Sequence, residues 1–478
     1  MPSQPISPLR RALAAFDRKL TRDAISIWLA GVEAVQSDHV VESQIDWDGK
    51  WLSIADHTWD LSQVNRLIVV GAGKATSGML TGLRKAFSRS KDRVPPLSGW
   101  INIPEGVQHN TEFVQDDINV CEARPLGCNE PTDRVVAGTR RILEFVESSG
   151  PNDCVIALIS GGGSALLCLP IDGISLEVKT QLTRDLASTG ANIEQLNAVR
   201  RCLSQVKGGS LARACKAKML ITCVLSDVLG DPLEFIASGP TILEPFPDPR
   251  QAMEVMDKFL PRQYTLVRQL LNKQMHISES AFPEGSVQRP NREVIVLANN
   301  ATAVDASGKK AVEMGYRYWM KSERRCEGEA EEVGRKLAVQ MIASCEDSQI
   351  DCIITGGEPT VRLPPQHLRG LGGRNQQLAL AALDEWNRRG FHQADFALVA
   401  GGTDGEDGPT DAAGAFVDPA IRIQALQMGL EPNDFLSRCD AYHFFERAGG
   451  LLKTGPTNTN VCDLRVALVR RLDAESRS

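Results

Sequence analysis

The chain has 478 residues, of which 42% are hydrophobic and 24% charged, and it carries a formal net charge of −7. This composition is typical of a globular protein and excludes a disordered one, and the length predicts about two to three domains. A mildly acidic chain disfavours nucleic acid as a partner. No apolar run approaches the about 18 residues of a transmembrane helix, so we expect no membrane partner.

The first half of the chain alternates between predicted helices and strands. An amphipathic pattern predicts a helix over residues 8–37, and a short β ribbon is expected over 39–62. Later strands are predicted at 66–70, 99–103, 154–160 and 218–225, and helices at about 75–90, 132–148, 175–189 and 196–207. This alternation predicts an α/β fold with a doubly wound parallel sheet of the Rossmann type.

Two loops rich in proline or polar residues divide the chain, at 242–250 and 280–293. The chain then resumes with the strand EVIVLANN and a second series of helices and strands. We therefore predict an N-terminal Rossmann-like domain over residues 1–245, a connecting segment over 246–293 and a C-terminal α/β domain over 294–478.

The 12 cysteines are scattered, and none forms a Cys-x-x-Cys pair. Several of them stand inside apolar runs, which favours buried free thiols over disulfides or a zinc site. We therefore expect a cytoplasmic protein, and the N-terminus shows no secretory apolar stretch.

Five apolar runs each end in a turn of glycine and polar residues. The turns contain Gly71, Gly73 and Lys74; Ser160, Gly161, Gly162, Gly163 and Ser164; Ser226 and Asp227; Gly357 and Glu358; and Gly402, Thr403 and Asp404. The carboxyl ends of buried parallel strands have this pattern, and α/β sheets bind ligands outside those ends. Since glycine lets backbone N–H groups approach an anion, the pattern predicts an enzyme that handles a phosphorylated ligand.

The first of these turns, around Lys74, has two interpretations. It has neither the spacing of a Walker A loop nor that of a complete dinucleotide fingerprint, and the next strand offers only Glu105 as a ribose contact. Lys74 is either a solvated lysine in a tight turn or the full charge of an anion site at a helix N-terminus. On the second interpretation it is a candidate catalytic residue.

The run from Ser160 to Ser164 is more specific. Three glycines directly after a buried strand would weaken a structure that had no use for them, and the N–H groups that they present suit phosphate or carboxylate. The sequence does not match the Gly-x-Ser-x-Gly elbow of a serine hydrolase. We expect this loop to bind phosphate or substrate.

The predicted helix at 196–207 carries a polar stripe. Asn197, Arg200, Ser204 and Lys207 recur at helical spacing, so they would share one face. That face is either solvated or turned toward an anionic ligand, in which case Arg200 and Lys207 bind phosphate or substrate.

Acidic residues follow three of the predicted strands. Asp227 is placed to hold Mg²⁺ or to accept a hydroxyl proton, with helix capping as the alternative. Asp404 and Glu358 are second choices for this chemistry, and Asp404 is the second candidate metal ligand. Arg374 follows Gly372 and Gly373 at the start of a predicted helix, where its planar fork suits phosphate or carboxylate.

Eight stretches of the chain, taken in order, resemble the class II glycerate kinases, the D-glycerate 2-kinases whose C-terminal part is the MOFRL domain. They are VVGAGKATSGM, LISGGGSALL, LNAVRRCLSQVKGGSLA, SDVLGDPLEFIASGPT, TGGEPTV, GLGGRNQQLAL, GTDGEDGPTDAAGA and TGPTNTNVCDL. The resemblance implies a Rossmann-like N-terminal domain, a separate C-terminal α/β domain and an active site in the cleft between them. It also implies ATP- and Mg²⁺-dependent phosphorylation of D-glycerate to 2-phosphoglycerate. The functional lysine of the family falls on Lys74 and its functional arginine on Arg374.

One segment departs from the family pattern. Where relatives carry Glu-Ala-x-His-Pro-x-Pro-Asp, this chain has Glu122, Ala123 and then Arg124 in place of the histidine, in a lengthened segment. We expect this change to alter the preference among small hydroxy acids.

Two other functions stay open. An NAD(P)H-dependent hydroxypyruvate reductase, a name that some relatives carry, would use the Gly71–Gly78 turn for the dinucleotide, but an acidic ribose contact and a general-acid histidine are missing. A non-catalytic sensor of nucleotides or sugar acids would not need a lysine, an arginine and several carboxylates at separate strand ends. We expect small-molecule partners, D-glycerate and ATP, and leave open whether the chain forms a homodimer and which domain binds which substrate.

Overall fold

The computed structural model describes residues 18–107, 116–125, 128, 130–243, 246–280, 291–347, 349–390 and 394–471. Residues 8–17 of the first predicted helix lie outside this part of the chain. The described residues form two compact units, one drawn from the ranges 40–225 and 232–297 and the other from 18–39, 226–231 and 298–471. None of the described helices combines the length and apolarity needed to cross a lipid bilayer.

Helices and strands alternate along most of the described chain. The strands are β1 (Ile45–Trp47), β2 (Trp51–Ile54), β3 (His57–Asp60), β4 (Arg66–Ala72), β5 (Leu97–Pro104), β6 (Asp117–Arg124), β7 (Asp153–Ser160), β8 (Met219–Leu225), β9 (Asn291–Ala298), β10 (Tyr318–Ser322), β11 (Cys352–Gly357), β12 (Ala394–Gly402), β13 (Gly414–Val417), β14 (Leu451–Leu452) and β15 (Asp463–Arg471). The helices are α1 (Lys19–Ala34), α2 (Ser37–Gln44), α3 (Thr76–Arg89), α4 (Asp133–Glu147), α5 (Gly163–Leu166), α6 (Leu176–Ser188), α7 (Ile193–Cys202), α8 (Ser210–Ala214), α9 (Pro249–Phe259), α10 (Thr265–Ser280), α11 (Asn300–Glu313), α12 (Ala330–Asp347), α13 (Arg374–Arg388), α14 (Pro419–Gln427), α15 (Pro432–Ser437) and α16 (Ala441–Ala448).

The first unit is built on a six-stranded sheet in the order β6-β5-β4-β7-β8-β9. Counted from β4, this is the strand order 3-2-1-4-5-6 of the doubly wound nucleotide-binding fold. The pairs β6–β5, β5–β4, β4–β7 and β7–β8 are all parallel. Every residue of β7 and β8 is buried, as expected for strands covered on both faces. The predicted Rossmann-like sheet is confirmed, and its topological switch point lies between β4 and β7.

The strand EVIVLANN was expected to open the C-terminal domain, but it forms most of β9 and lies beside β8 in the first sheet. The compact units therefore divide the chain differently from the predicted boundaries at 245 and 293. Local sequence cannot decide this point, because an apolar run fits the edge of either sheet equally well.

The second unit contains a six-stranded mixed sheet in the order β10-β11-β15-β12-β13-β14. Its central strand β15 is antiparallel to both neighbours, β11 and β12. The glycine turns after β11 and β12 were interpreted as the ends of buried parallel strands; the two strands do run in the same direction, but each is paired with the antiparallel strand β15 that lies between them. Because β11 and β12 run in the same direction, their carboxyl ends still meet at one edge, together with the start of β15.

Helix α1 belongs to this second unit. Its Trp28 is fully buried and donates its indole N–H to the carbonyl of Leu464 on β15, at 3.0 Å. A Cβ on Gly31 would lie 2.4 Å from the hydroxyl oxygen of Ser307 on α11, so glycine permits the two helices to pack closely. The N-terminal helix thus completes the core around the C-terminal sheet.

Candidate active site

The turn after β4 and the glycine loop after β7 lie side by side at the switch point of the first sheet. The strands are paired up to Ala72 and Ile159, and the backbone N–H of Lys74 donates to the carbonyl of Gly161 at 2.8 Å. Helix α3 begins directly after the turn, so its N-terminus points to the same place. Ligands of doubly wound sheets bind at this position, where helix N-termini favour anions.

Two residues of this region are explained by close packing. Gly73 has a φ of 148°, and a Cβ there would lie 2.1 Å from the Ser160 hydroxyl oxygen. That hydroxyl is fully buried and accepts the backbone N–H of Ala75 at 3.0 Å. Ser160 therefore supports the start of α3, and Gly73 allows the two turns to approach each other.

Gly162 is the point where two cationic side chains converge. It has a φ of 76°, and a Cβ there would lie 3.2 Å from Cγ of Lys74 and 3.5 Å from Nη2 of Arg124. Arg124, at the end of β6, is only 2% exposed. The residue that replaces the usual family histidine thus brings a guanidinium to the glycine loop, on the same side as Lys74.

The other end of the glycine loop is held by Lys207. Its ammonium donates to the Ser164 carbonyl at 2.9 Å and lies 3.4 and 3.5 Å from the Ala237 carbonyl and the Ser238 hydroxyl. Ser164 and Ser238 are joined through their hydroxyls at 3.1 Å. Ala237 and Ser238 both have positive φ values, 50° and 64°, an uncommon conformation for residues other than glycine.

The predicted helix over 196–207 is corrected by the structure: α7 ends at Cys202 and the chain turns before Lys207. Asn197 and Arg200 do lie on this helix, whereas Ser204 and Lys207 do not continue its face. Lys207 nevertheless stays near this helix, since the Ser238 hydroxyl lies 3.5 Å from its ammonium and 3.5 Å from the Asn197 side-chain oxygen. Asn197 and Lys207 are therefore brought near each other by the tertiary structure and not by their spacing along one helix.

Glu105, the candidate ribose contact, forms an ion pair with Arg134 on α4. The only acidic residue that the sequence offered to a dinucleotide is therefore engaged within the protein.

In the second unit, strand register brings the acidic candidates together. Asp463, the first residue of β15, is paired with Gly357 on one side and Gly402 on the other. Glu358 and Asp404 follow those two glycines directly or within two residues, so both flank the start of β15. Asp463 is fully buried. Asp463 was not among the predicted site residues, because it precedes an apolar run instead of following one.

Arg374 is the cation of this group. It donates from Nε and Nη2 to the two oxygens of Asp463, at 2.6 and 3.0 Å, and its Nη1 lies 3.1 Å from Glu358. Burial alone would lower the pKa of this guanidinium, but the Asp463 and Glu358 carboxylates outweigh it and raise the pKa overall. The planar fork of Arg374 thus contacts the carboxylate of Asp463 within the protein, and a contact of Arg374 with a ligand stays a prediction.

Asp407 is a second residue that sequence analysis missed. It is buried and accepts the backbone N–H groups of Asn375 and Gln376 at 3.0 and 2.8 Å, so it caps the first turn of α13. Burial raises its pKa to about 7, against the lowering effect of these two hydrogen bonds. A carboxylate that satisfies the N-terminus of α13 leaves that end less able to bind another anion.

Asp227 follows β8 and belongs to the second unit. No helix begins there among the described residues, which argues against the capping alternative. Its carboxylate accepts from the Asn460 side chain at 3.3 Å, and its backbone carbonyl lies 2.8 Å from the Cys462 thiol sulfur. Burial raises the pKa of Glu358, and the charges of Asp463, Asp227 and Asp404 raise it further despite Arg374. These carboxylates therefore lie near enough to interact electrostatically.

This acidic group suits a Mg²⁺ ion that also binds phosphate oxygens better than a Mg²⁺ ion coordinated by protein side chains alone. Within the described ranges, no three His, Cys, Asp or Glu side chains are arranged to hold a metal ion. Mg²⁺ in phosphate-transferring sites usually takes one or two carboxylates together with water and phosphate oxygens. Asp227 and Asp404 supply suitable oxygens, and the crowding that raises the pKa of Glu358 is what a divalent cation would relieve.

Gly357 is explained by packing against a buried ion pair. A Cβ there would lie 1.8 Å from Oε2 of Glu327, whose carboxylate accepts two bonds of 2.8 Å from Arg465. Packing therefore requires glycine at position 357, whether or not a ligand also contacts it.

Comparison with known proteins gives consistent results over nearly the whole chain. The family model "Domain of unknown function (DUF4147)" matches residues 23–273, and that of the MOFRL family matches residues 351–463. The chain is 33% identical to the D-glycerate 2-kinase of Thermotoga maritima over 95% of this chain and 100% of that protein. It is 31% identical to human glycerate kinase, over 96% and 94% of the two chains. The crystal structure of glycerate kinase from Thermotoga maritima superposes with a TM-score of 0.74, covering 94% of this chain and 99% of that one.

Proposed function

This chain belongs to the MOFRL-containing glycerate kinase family, and we propose that it transfers the γ-phosphoryl group of ATP to the 2-hydroxyl of D-glycerate. The observation that carries the proposal is the pairing of the Lys74 turn with the glycine loop at the sheet switch point. Phosphoryl transfer requires positioning and charge neutralisation more than covalent chemistry by the protein. A lysine, a helix N-terminus and a glycine loop in contact provide both.

The reaction needs no reactant other than ATP and D-glycerate. The substrate 2-hydroxyl oxygen bonds to the γ-phosphorus, the bond from that phosphorus to the ADP oxygen breaks, and the hydroxyl proton is released. Lys74, beside Gly162, is proposed to stabilise negative charge on the phosphates. Asp227 is proposed to orient the hydroxyl or receive its proton, because its carboxylate stands at a strand end and is not used as a helix cap.

We further propose a requirement for Mg²⁺, with Asp227 and Asp404 as its protein ligands. The bound ion would neutralise phosphate charge. Support comes from the charge of this group in the second unit, in which four carboxylates outnumber one cation, Arg374. The carboxylates are those of Asp227, Glu358, Asp404 and Asp463. An ATP phosphate without a metal ion would therefore be repelled. The active site in the cleft between domains, which the family implies, stays a prediction.

The expected location is the cytoplasm. All 12 cysteines are free, and Cys154, Cys223 and Cys352 lie within buried strands. Free buried thiols suit a reducing compartment. The partners are proposed to be the small molecules D-glycerate and ATP, and homodimer formation stays open.

Two assays run in parallel test the proposed function. Purified protein is given D-glycerate, ATP and Mg²⁺ in a coupled ADP-release assay, and hydroxypyruvate with NADH or NADPH in an absorbance assay. We expect Mg²⁺-dependent ADP release and no oxidation of either reduced nicotinamide. Phosphorus NMR of the product is expected to show the 2-phospho isomer first. Nicotinamide oxidation without ADP release would favour the reductase, and binding without turnover would favour the sensor.

A further inference from the structure

Three basic residues of the first unit form a cluster that the proposed mechanism has not used, Lys179 on α6, Arg200 on α7 and Lys207 in the turn that follows. We call it the Lys179 cluster. Lys179 and Lys207 are only 4% and 1% exposed, whereas Arg200 is partly exposed. Lysine is almost never buried to this degree without a charged partner. Lys179 carried no assignment from the sequence, because it falls within an ordinary amphipathic helix.

The ammonium groups of this cluster bond to neutral oxygens. Lys179 donates to the carbonyl of Leu203 at 2.9 Å, and Lys207 to the carbonyl of Ser164 at 2.9 Å. Among the residues that the structure describes, no aspartate or glutamate forms an ion pair with any member of the cluster. Burial, then the charge of Arg200, lowers the pKa of Lys207 well below its usual value. A buried ammonium without an acidic partner tends to lose its proton, and a bound anion favours the charged form.

The position of the Lys179 cluster beside the glycine loop indicates which anionic group it binds. The glycine loop has Lys74 and Arg124 at its Gly162 side and Lys207 at its Ser164 side. A kinase that acts on a hydroxy acid must hold two anionic groups close together, the transferring phosphate and the acid carboxylate. The Gly162 side already provides the glycine turn and cations that suit phosphate. The Ser164 side remains for the carboxylate.

We propose that the Lys179 cluster is the subsite for the carboxylate of the acceptor. This inference rests on the proposed kinase function. Arg200 is the member that contacts the carboxylate, since it alone is partly exposed and has a planar fork that matches a carboxylate. Lys179 is a positioning residue that supplies positive potential behind it, and Lys207 is a positioning residue that holds the Ser164 end of the glycine loop through its hydrogen bond to the Ser164 carbonyl.

The subsite also accounts for the choice of hydroxyl. In a 2-hydroxy acid the reacting hydroxyl is on the carbon next to the carboxylate. A carboxylate held at Ser164, one loop end away from the phosphate cations, presents the 2-hydroxyl to the phosphate and keeps the 3-hydroxyl farther away. Glycerol, which has the same hydroxyls and no carboxylate, is then not an acceptor.

The kinetic test uses the full chain with Lys179→Met and Arg200→Gln. Each is expected to raise KM for D-glycerate roughly 10- to 100-fold, the loss expected for a charged hydrogen bond, while KM for ATP changes by less than about threefold. Lys179→Arg and Arg200→Lys should recover part of the loss. The matched control is Arg184→Gln, on the same helix as Lys179, whose side chain is exposed and pairs with Glu130. It should leave both KM values unchanged.

A pH profile distinguishes a charge from a structural role. Burial lowers the pKa of Lys179 to about 8; among the titratable groups near it, Cys168 raises this pKa and Arg200 lowers it. Lys207 is the third such group. Since only the protonated ammonium attracts a carboxylate, D-glycerate affinity should fall as the pH rises past about 8. This fall should be weaker in Lys179→Met.

Direct binding separates failure of the subsite from failure of the proposed kinase function. Calorimetric titration of D-glycerate and lactate, against glycerol and a non-hydrolysable ATP analogue, requires no turnover. We expect the two acids to bind wild type, glycerol not to bind, and the variants to lose the acids only. A shift in ATP-analogue affinity instead, or unchanged acid affinity in variants with normal Tm, would overturn the carboxylate assignment. Acid binding without ADP release would support the subsite while rejecting the kinase.

Discussion

At the scale of single residues, the two cations to which the family resemblance assigns function have different surroundings. Lys74 lies against Gly162 in a turn, whereas Arg374 is held by Asp463 and Glu358. Removing the first takes a charge from the proposed phosphate site. Removing the second also leaves a fully buried carboxylate, Asp463, without its main partner.

We expect Lys74→Ala to lower kcat/KM by roughly 10²- to 10⁴-fold, the cost of losing a cation from a transferring phosphate. Tm should be nearly unchanged, since the side chain is partly exposed at the end of a turn. Steady-state kinetics and a thermal melt measure both, and Lys85→Ala in helix α3, which follows the Lys74 turn, is the control. Near-normal activity of Lys74→Ala would remove this residue from the site.

Arg374→Ala should lose activity to a similar degree and also stability, by about 1.5–3 kcal/mol in the free energy of unfolding, because Asp463 loses charged hydrogen bonds. Arg374→Lys should restore activity only in part, since one ammonium cannot replace a bidentate fork. Denaturant unfolding measures the stability change, with Arg388→Ala at the exposed end of α13 as the control. Equal stability of Arg374→Ala and the wild type would mean that the pair with Asp463 contributes nothing.

At the scale of elements, the ends of helices carry much of the site chemistry. The start of α3 points to the glycine loop, whereas the start of α13 is already occupied by the Asp407 carboxylate. Two helix N-termini that look alike in sequence therefore have different capacities for an anion. The difference arises because the loop after β12 folds a buried acid onto one of them.

The raised pKa of Asp407 makes stability depend on pH. Its pKa is about 7 in the folded state and near 3.8 when exposed, so the folded state binds the additional proton between these values. The stability associated with the neutral form is therefore lost as the pH rises from about 4 to 7. We expect Asp407→Asn, which can still cap the helix, to reduce this fall by about 1–3 kcal/mol. Denaturant unfolding at pH 5, 6, 7 and 8 tests it, and parallel curves for the two proteins would contradict it.

At the scale of the whole molecule, the units are interleaved in sequence. Residues 226–231 belong with the C-terminal sheet although the other unit flanks them on both sides, and helix α1 belongs there although it is followed by a long segment of the other unit. The indole of Trp28 anchors α1 to β15 from within the buried core. The C-terminal sheet therefore depends on residues more than 400 positions away in the chain.

This arrangement predicts how fragments behave. A fragment of residues 294–478 should expose the apolar surface that α1 covers, and it should bind a hydrophobic dye and melt without a sharp transition. A fusion that adds residues 18–39 should fold more cooperatively, and Trp28→Ala in the full chain should lose about 3–5 kcal/mol of stability. Circular dichroism melts compare the three. If the fragment alone melts like the full chain, α1 is not part of that core.

Most of the strands and turns could be predicted from the amino-acid sequence, because buried strands are contiguous apolar runs and glycine turns are local chemistry. That was enough to predict the Rossmann-like sheet, the Lys74 turn, the glycine loop and the family. It could not assign β9 to its sheet, pair Arg374 with Asp463 or bring Lys179 to Arg200 and Lys207. Each of these depends on strand order, register or the return of a turn, through which residues far apart in sequence come into contact. Only the tertiary structure fixed those contacts, because the free energy that selects them comes from burial and pairing across the whole fold.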